Sequence, residues 1–155
     1  MPAPKAPSSR RCGEKLKRRR SASAPQAQAE LRAVASRDRT RASSFAREFG
    51  VTGASASIEA LLGDRDVDLV YIATPNSMHR THCLAALEAG KPVLCEKPFA
   101  LDADEARAIV EAARRQRLFC MEAMWTRFLP AIRETRTLLD SHVVGDICLV
   151  SASLG

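Results

Sequence analysis

The 155-residue sequence predicts an α/β fold built on a doubly wound parallel sheet. Apolar strand-like runs alternate with helix-like stretches from residue 31 to residue 140. The strongest run, Val67-Asp68-Leu69-Val70-Tyr71-Ile72-Ala73, is nearly continuous in apolar residues, the pattern of a parallel strand buried on both faces. Four of the runs end in polar clusters. With 46% apolar and 27% charged residues, the chain has the material for one real core.

The elements follow in order. Leu31-Arg32-Ala33-Val34-Ala35-Ser36 predicts a short strand. Thr40 is a suitable cap for a helix over 40–49, and Gly50 suits its C-terminal stop. A short helix over 57–62 closes at Gly63-Asp64, and the strand over 67–73 follows. Thr74-Pro75-Asn76-Ser77 breaks that strand and leads into a helix over 78–89, which Gly90 and Pro92 terminate. Pro92-Val93-Leu94-Cys95 is another short strand, ending in Glu96-Lys97-Pro98. Asp102 with Glu105 three residues on makes a capping box for a helix to about Gln116. Leu118-Phe119-Cys120-Met121-Glu122 is a strand, Pro130 opens a helix to about Asp140, and Gly145 releases a last strand over 147–153.

The formal charge of +6 is concentrated at one end. Residues 1–30 hold 8 Lys/Arg against 2 Asp/Glu, whereas residues 31–155 hold 16 of each. A neutral globular part excludes a basic nucleic-acid-reading domain as the main reading. Met1 and Leu16 are the only large apolar side chains of the first 30 residues, so this segment is expected to be a disordered basic tail. Its run Lys15-Leu16-Lys17-Arg18-Arg19-Arg20 leaves open a nuclear-localisation or RNA-binding patch, or an organelle transit peptide. No apolar run approaches the roughly 18 residues of a membrane helix. The five cysteines are widely spaced and form no Cys-x-x-Cys pair, and none clusters with His79, His82 or His142 at zinc spacing. No metal is expected, and a reducing, cytoplasmic compartment is.

In an open parallel sheet, ligands bind outside the carboxyl ends of the strands. The candidates are therefore Ser36-Arg37-Asp38, Thr74-Pro75-Asn76, Glu96-Lys97-Pro98 and the polar residues from Glu122 to Arg127. Arg37 follows what looks like the second strand of a dinucleotide-binding half, where an arginine takes a 2′-phosphate and an acid takes a ribose hydroxyl. With Asp38 adjacent the sign is mixed, and a solvated surface arginine is the plain alternative. Lys97, between an acid and a proline that invites a cis bond, can assist proton loss from a substrate hydroxyl, or be an ordinary Lys–Glu surface pair. Trp125 and Phe128 share a face if their turn is helical, to wall a pocket or to pack in a core. His79 faces the same crevice or serves as a satisfied structural histidine, while His82 and His142 have no supporting context.

Val70-Tyr71-Ile72-Ala73-Thr74-Pro75-Asn76 with His79, together with Val93-Leu94-Cys95-Glu96-Lys97-Pro98, resembles the Gfo/Idh/MocA family of NAD(P)-dependent oxidoreductases. The segment Met121-Glu122-Ala123-Met124-Trp125-Thr126-Arg127-Phe128 is most similar to the family's branch of dimeric dihydrodiol and NADP-dependent D-xylose dehydrogenases. The resemblance implies that Ser36 and Arg37 hold the adenosine ribose and its phosphate. Thr74, Asn76 and His79 would line the cofactor crevice, Glu96 would meet the nicotinamide ribose, and Trp125 and Arg127 would border the nicotinamide. Lys97 would be the catalytic residue in hydride transfer between a sugar or diol and NADP, with NAD the alternative cofactor. The partner implied is this small molecule; neither a specific nucleic acid nor a membrane is.

The family opens with an apolar strand and a glycine-rich turn, and here Gly13 is the only glycine before Gly50. The expected fold is thus an incomplete Rossmann-type sheet over 31–145, split where its first strand would lie. Residues 146–155 would begin a C-terminal α/β domain that is otherwise missing and would hold the oligomer surface. A non-catalytic Rossmann-like module acting through a protein partner is the alternative function.

Overall fold

The computed structural model describes residues 29–55 and 57–151, so the expected tail over 1–28 lies outside the described residues. The first helix, α1 (Arg39–Phe49), starts at Asp38 and not at Thr40. The Asp38 carboxylate accepts from the Thr40 and Arg41 backbone N–H groups, two of the donors a helix start leaves unpaired. An acid immediately before the first helical residue is the better-placed acceptor, which is why Thr40 falls inside the helix. Gly50 ends it in the left-handed conformation, at φ +66°, which L side chains rarely adopt.

Among the described residues, five three-residue strands alternate with helices. β1 (Ala33–Ala35) pairs in parallel with β2 (Gly53–Ser55), with Ala33 opposite Gly53. The sequence reading missed β2, because Gly-Ala-Ser has neither apolar alternation nor β-branched residues. Its glycine is what the pairing needs: a Cβ on Gly53 would lie 3.2 Å from that of Ala33. A short helix α2 (Ile58–Leu62), capped by Ser57, leads to β3 (Val70–Ile72). A 3₁₀ turn (Asn76–Met78) and α3 (His79–Glu88) connect β3 to β4 (Val93–Cys95), and α4 (Ala103–Gln116) connects β4 to β5 (Cys120–Glu122). At the start of α4, Asp102 accepts from the Glu105 amide; Glu105 accepts from Leu101 rather than from Asp102, so the capping box is offset by one residue.

The strands form two separate parallel sheets, β1-β2 and β3-β4-β5. This is the split expected of an incomplete Rossmann-type sheet, in which a first strand would lie between β1 and β3. Among the described residues, Arg32 and Asp66 join the two parts by an exposed ion pair of 2.6 Å. The amine of Lys91 reaches the Asp64 and Val67 carbonyls, 2.8 Å from each, and closes the loop that enters β3.

The main core lies between the three-stranded sheet and helices α3 and α4. Val70, Ile72, Val93 and Cys95 meet Cys83, Ala86, Leu87, Ile109, Ala112 and Ala113, and Leu62 of α2 joins them. A smaller cluster packs Ala46 and Phe49 of α1 with Val51 and the half-buried Val34. β3 is not buried on both faces as its composition suggested: Tyr71 is 46% exposed between buried Val70 and Ile72. The thiols fit this apolar setting. Burial and the neighbouring Cys95 thiol push the Cys120 thiol up to about 11, and Cys83, hydrogen-bonded to Cys95, is raised well beyond the ordinary thiol range.

The chain divides into two compact units, the first ending at Glu122 and the second beginning at Ala123. The second unit holds a 3₁₀ turn (Trp125–Phe128) and α5 (Pro130–Asp140), with Pro130 in the first turn as expected. Residues 147–151 form no strand, contrary to the sequence reading. An isolated apolar run has no ladder of its own, and no other described strand pairs with it.

Leu87 is fully buried at the centre of the main core. Leu87→Ala is therefore expected to cost about 2–5 kcal/mol of unfolding free energy, seen as a lower urea midpoint by circular dichroism. A cost below about 1 kcal/mol would contradict this packing.

Candidate functional site

Register decides what meets at the carboxyl edge of the sheet. Ile72, Cys95 and Glu122 stand side by side on β3, β4 and β5. The residues that follow, Thr74, Glu96-Lys97-Pro98 and Glu122 itself, consequently share one edge. Thr74, Asn76, Lys97 and Pro98 are exposed there, and Glu96 and Glu122 are half-buried.

His79 organises this edge. It is 1% exposed, the one buried polar or charged residue among those described. Its Nδ1 lies 2.8 Å from the Pro98 carbonyl oxygen and its Nε2 lies 3.0 Å from that of Thr74. A carbonyl oxygen only accepts, so a ring nitrogen that carries a proton donates to the carbonyl it faces. Through these contacts His79 ties the segment after β3 to the segment after β4 from beneath. His82, one turn along α3, has the supporting context that the sequence did not reveal, with Nδ1 3.0 Å from the Thr74 Oγ1. The i,i+3 spacing of the two histidines was the available signal.

Side-chain carboxylates also hold the Glu96-Lys97-Pro98 segment and the residue after it. Glu96 accepts from the Tyr71 hydroxyl through Oε1 and from the Lys97 N–H through Oε2, at 3.2 Å. Glu122 accepts from the Phe99 N–H at 3.0 Å, which latches the following residue to β5. The Lys97–Pro98 peptide bond is cis. Tyr71, to which the sequence reading gave no role, and Glu122, read there only as one of a polar cluster at a strand end, are positioning groups. Tyr71 is found only from the register that sets it beside Leu94, next to Glu96.

Ser36 and Arg37 follow β1. The Ser36 Oγ accepts from the Asp38 N–H at 3.3 Å. Beside Arg37, the Asp38 carboxylate accepts from the α1 amides and pairs with Arg41, 3.3 Å away. Arg37 is exposed and makes no hydrogen bond or ion pair among the described residues. An open guanidinium whose neighbouring acid is already engaged fits a phosphate monoester. Arg37 and Glu59 both act electrostatically on His82.

Trp125 and Arg127 lie in the second unit, on its 3₁₀ turn. Trp125 is 59% exposed and Phe128 is exposed as well, so neither is a core residue among those described. Within the first unit, His79 links the segment holding Thr74 and Asn76 to the Glu96-Lys97-Pro98 segment, while Trp125 and Arg127 belong to the second unit.

An α/β unit with polar residues at the carboxyl ends of parallel strands and an open arginine after the strand next to the split is a dinucleotide-binding architecture. Residues 12–124 match the model of the Gfo/Idh/MocA oxidoreductase family, NAD-binding Rossmann fold, and the chain belongs to this family. It is 43% identical over 131 residues to trans-1,2-dihydrobenzene-1,2-diol dehydrogenase of Sus scrofa, a match covering 84% of this chain and 39% of that protein. Among solved structures it is similar to an NAD-binding oxidoreductase from Klebsiella pneumoniae, with a TM-score of 0.71 and 34% identity over 75% of this chain and 31% of the other. A 3-ketoreductase from Actinomadura kijaniata in complex with TDP-benzene and NADP gives a TM-score of 0.67 and 37% identity over 76% of this chain and 37% of the other. The chain thus spans about 39% of the length of its diol dehydrogenase relative. No described helix is long and apolar enough to cross a membrane.

The Glu122 contact generates a prediction. Glu122→Ala leaves the Phe99 N–H without its partner and is expected to cost about 1–3 kcal/mol. Glu122→Gln, whose amide oxygen can still accept, should retain most of that stability. Faster hydrogen exchange at Phe99 in the alanine variant alone would show the latch opening; equal exchange in both would refute it.

Proposed function

We propose that this chain is the cofactor-holding part of an NADP-dependent oxidoreductase acting between a sugar or diol carbon and the nicotinamide ring. When bound, the cofactor supplies the hydride chemistry. The observation that carries the reading is the register that lines up Thr74, Glu96, Lys97 and Glu122 at one sheet edge. Residues 31–145 are read as the partial dinucleotide-binding domain.

Each residue has a defined task in this reading. Arg37 binds the 2′-phosphate through its planar fork, with Ser36 beside it at the ribose. Thr74 and Asn76 border the crevice, and His79 holds their segment in place. Glu96, oriented by Tyr71, accepts from the nicotinamide ribose. Lys97 hydrogen-bonds the substrate hydroxyl and assists its proton loss as the carbonyl forms. Trp125 and Arg127 are assigned to the nicotinamide end. Free thiols at Cys83, Cys95, Cys120 and Cys148 support a reducing, cytoplasmic location.

Calorimetric titration with NADPH and NADH tests the cofactor assignment. Arg37→Ala should weaken NADPH binding by about tenfold or more and leave NADH nearly unchanged, since only NADPH carries the phosphate. Saturable binding of neither cofactor would overturn the reading. A paired experiment addresses Lys97: Lys97→Met is expected to keep NADPH affinity within a few-fold and to abolish NADP reduction with D-xylose or a trans-dihydrodiol. Undiminished turnover would remove Lys97 from the chemistry.

A further inference from the structure

We propose that His82 is a positioning residue for Thr74: its ring holds the proton of the Thr74 hydroxyl, so that Thr74 offers only lone pairs to a cofactor in the crevice. This rests on the cofactor reading above and adds to it the hydrogen-bond polarity of one contact.

Thr74 is gripped at two points by one helix. His79 takes its backbone carbonyl and His82 its side-chain oxygen, the latter with Nδ1 3.0 Å from Oγ1. The residue at the end of β3 therefore has both its backbone position and its rotamer set from α3. A histidine beneath a hydroxyl makes it a donor or an acceptor toward the ligand according to its own charge. The neutral ring with its proton on Nε2 accepts from Thr74, whose hydroxyl can then only accept from the ligand. The charged ring donates through Nδ1, and the threonine proton turns outward as a donor.

The surroundings favour the neutral ring. His82 is partly buried on α3, and that burial lowers its proton affinity most. His79 on the same helix and Arg37 from the segment after β1 act in the same direction. Glu59 of α2 is the opposing group, and its carboxylate is itself stabilised by its backbone amide and the Ser57 hydroxyl. At neutral pH Thr74 is thus an acceptor, matched to a hydroxyl or amide N–H of the ligand. Below the ordinary histidine range the polarity inverts and the match is lost.

The test uses the full chain, ring-¹⁵N-labelled histidine and NADP⁺. In the wild type, the Nδ1 signal of His82 should be that of an unprotonated, hydrogen-bonded nitrogen, and Thr74→Val should shift it toward the unbonded value. In calorimetry at about pH 7.5, His82→Leu should weaken NADP⁺ binding roughly three- to tenfold. His82→Asn, whose Oδ1 replaces Nδ1 as acceptor, should stay within about twofold. As pH falls to about 5.5, all three share the change due to the cofactor's own phosphate, and wild type should lose affinity beyond that common change while His82→Asn does not. A protonated Nδ1 at neutral pH, or His82→Asn behaving like His82→Leu, would overturn the positioning role and leave the cofactor reading intact. Circular dichroism verifies the fold of His82→Leu; if it unfolds, the nitrogen signal, the Thr74→Val shift and His82→Asn decide. A wild type that binds no NADP⁺ would overturn the cofactor reading and this role together.

Discussion

One imidazole holds the carbonyl oxygens of Thr74 and Pro98, and the geometry of the candidate site follows from that shared anchor. A ring with 1% exposure cannot leave its nitrogens unsatisfied, because a buried polar group without a partner is costly. The two segments that leave β3 and β4 are therefore fixed relative to α3 as well as to each other. Parallel pairing brings the strand ends level, and the histidine fixes what comes after the ladder has ended. Glu122 repeats the principle on the next strand, where a carboxylate captures the Phe99 amide.

The parts of the fold that were legible in the sequence are those decided by local chemistry. Gly50, Ser57, Asp102 and Pro130 stop or start helices through caps and fixed dihedrals, and their effects need no distant partner. β4 and α4 read clearly for the same reason. What escaped was decided by partners far along the chain. β2 is a strand only because β1 lies beside it, and residues 147–151 are not one because no such neighbour is described. Tyr71 looked like a doubly buried strand residue, but the helices that form the main core cover the side carrying Val70 and Ile72.

The site divides in the same way. Thr74, Asn76, Glu96 and Lys97 were visible because strand ends in an open α/β sheet are where polar residues gather. For His79 the sequence left a crevice task and a structural task both open, and its burial and two carbonyl partners are tertiary facts. Asp38 illustrates the reverse case. Its charge beside Arg37 clouds a sequence reading, yet its carboxylate is drawn off by two helix amides and an arginine. Family membership and the architecture agree on the dinucleotide-binding class, with β2-β1 and β3-β4-β5 keeping the outer order of that sheet on either side of the split.

The pairings also describe how the chain can assemble. Ala33 pairs with Gly53, Val70 with Val93, and Val93 with Cys120, so every described ladder joins strands adjacent in sequence. Each closure spans one helical crossover of similar length, and none encloses another. Loop-closure entropy is then met in small equal steps, and contact order stays low for a parallel sheet. Each βαβ unit can close soon after its second strand leaves the ribosome, making folding vectorial, one unit after another in the order of synthesis.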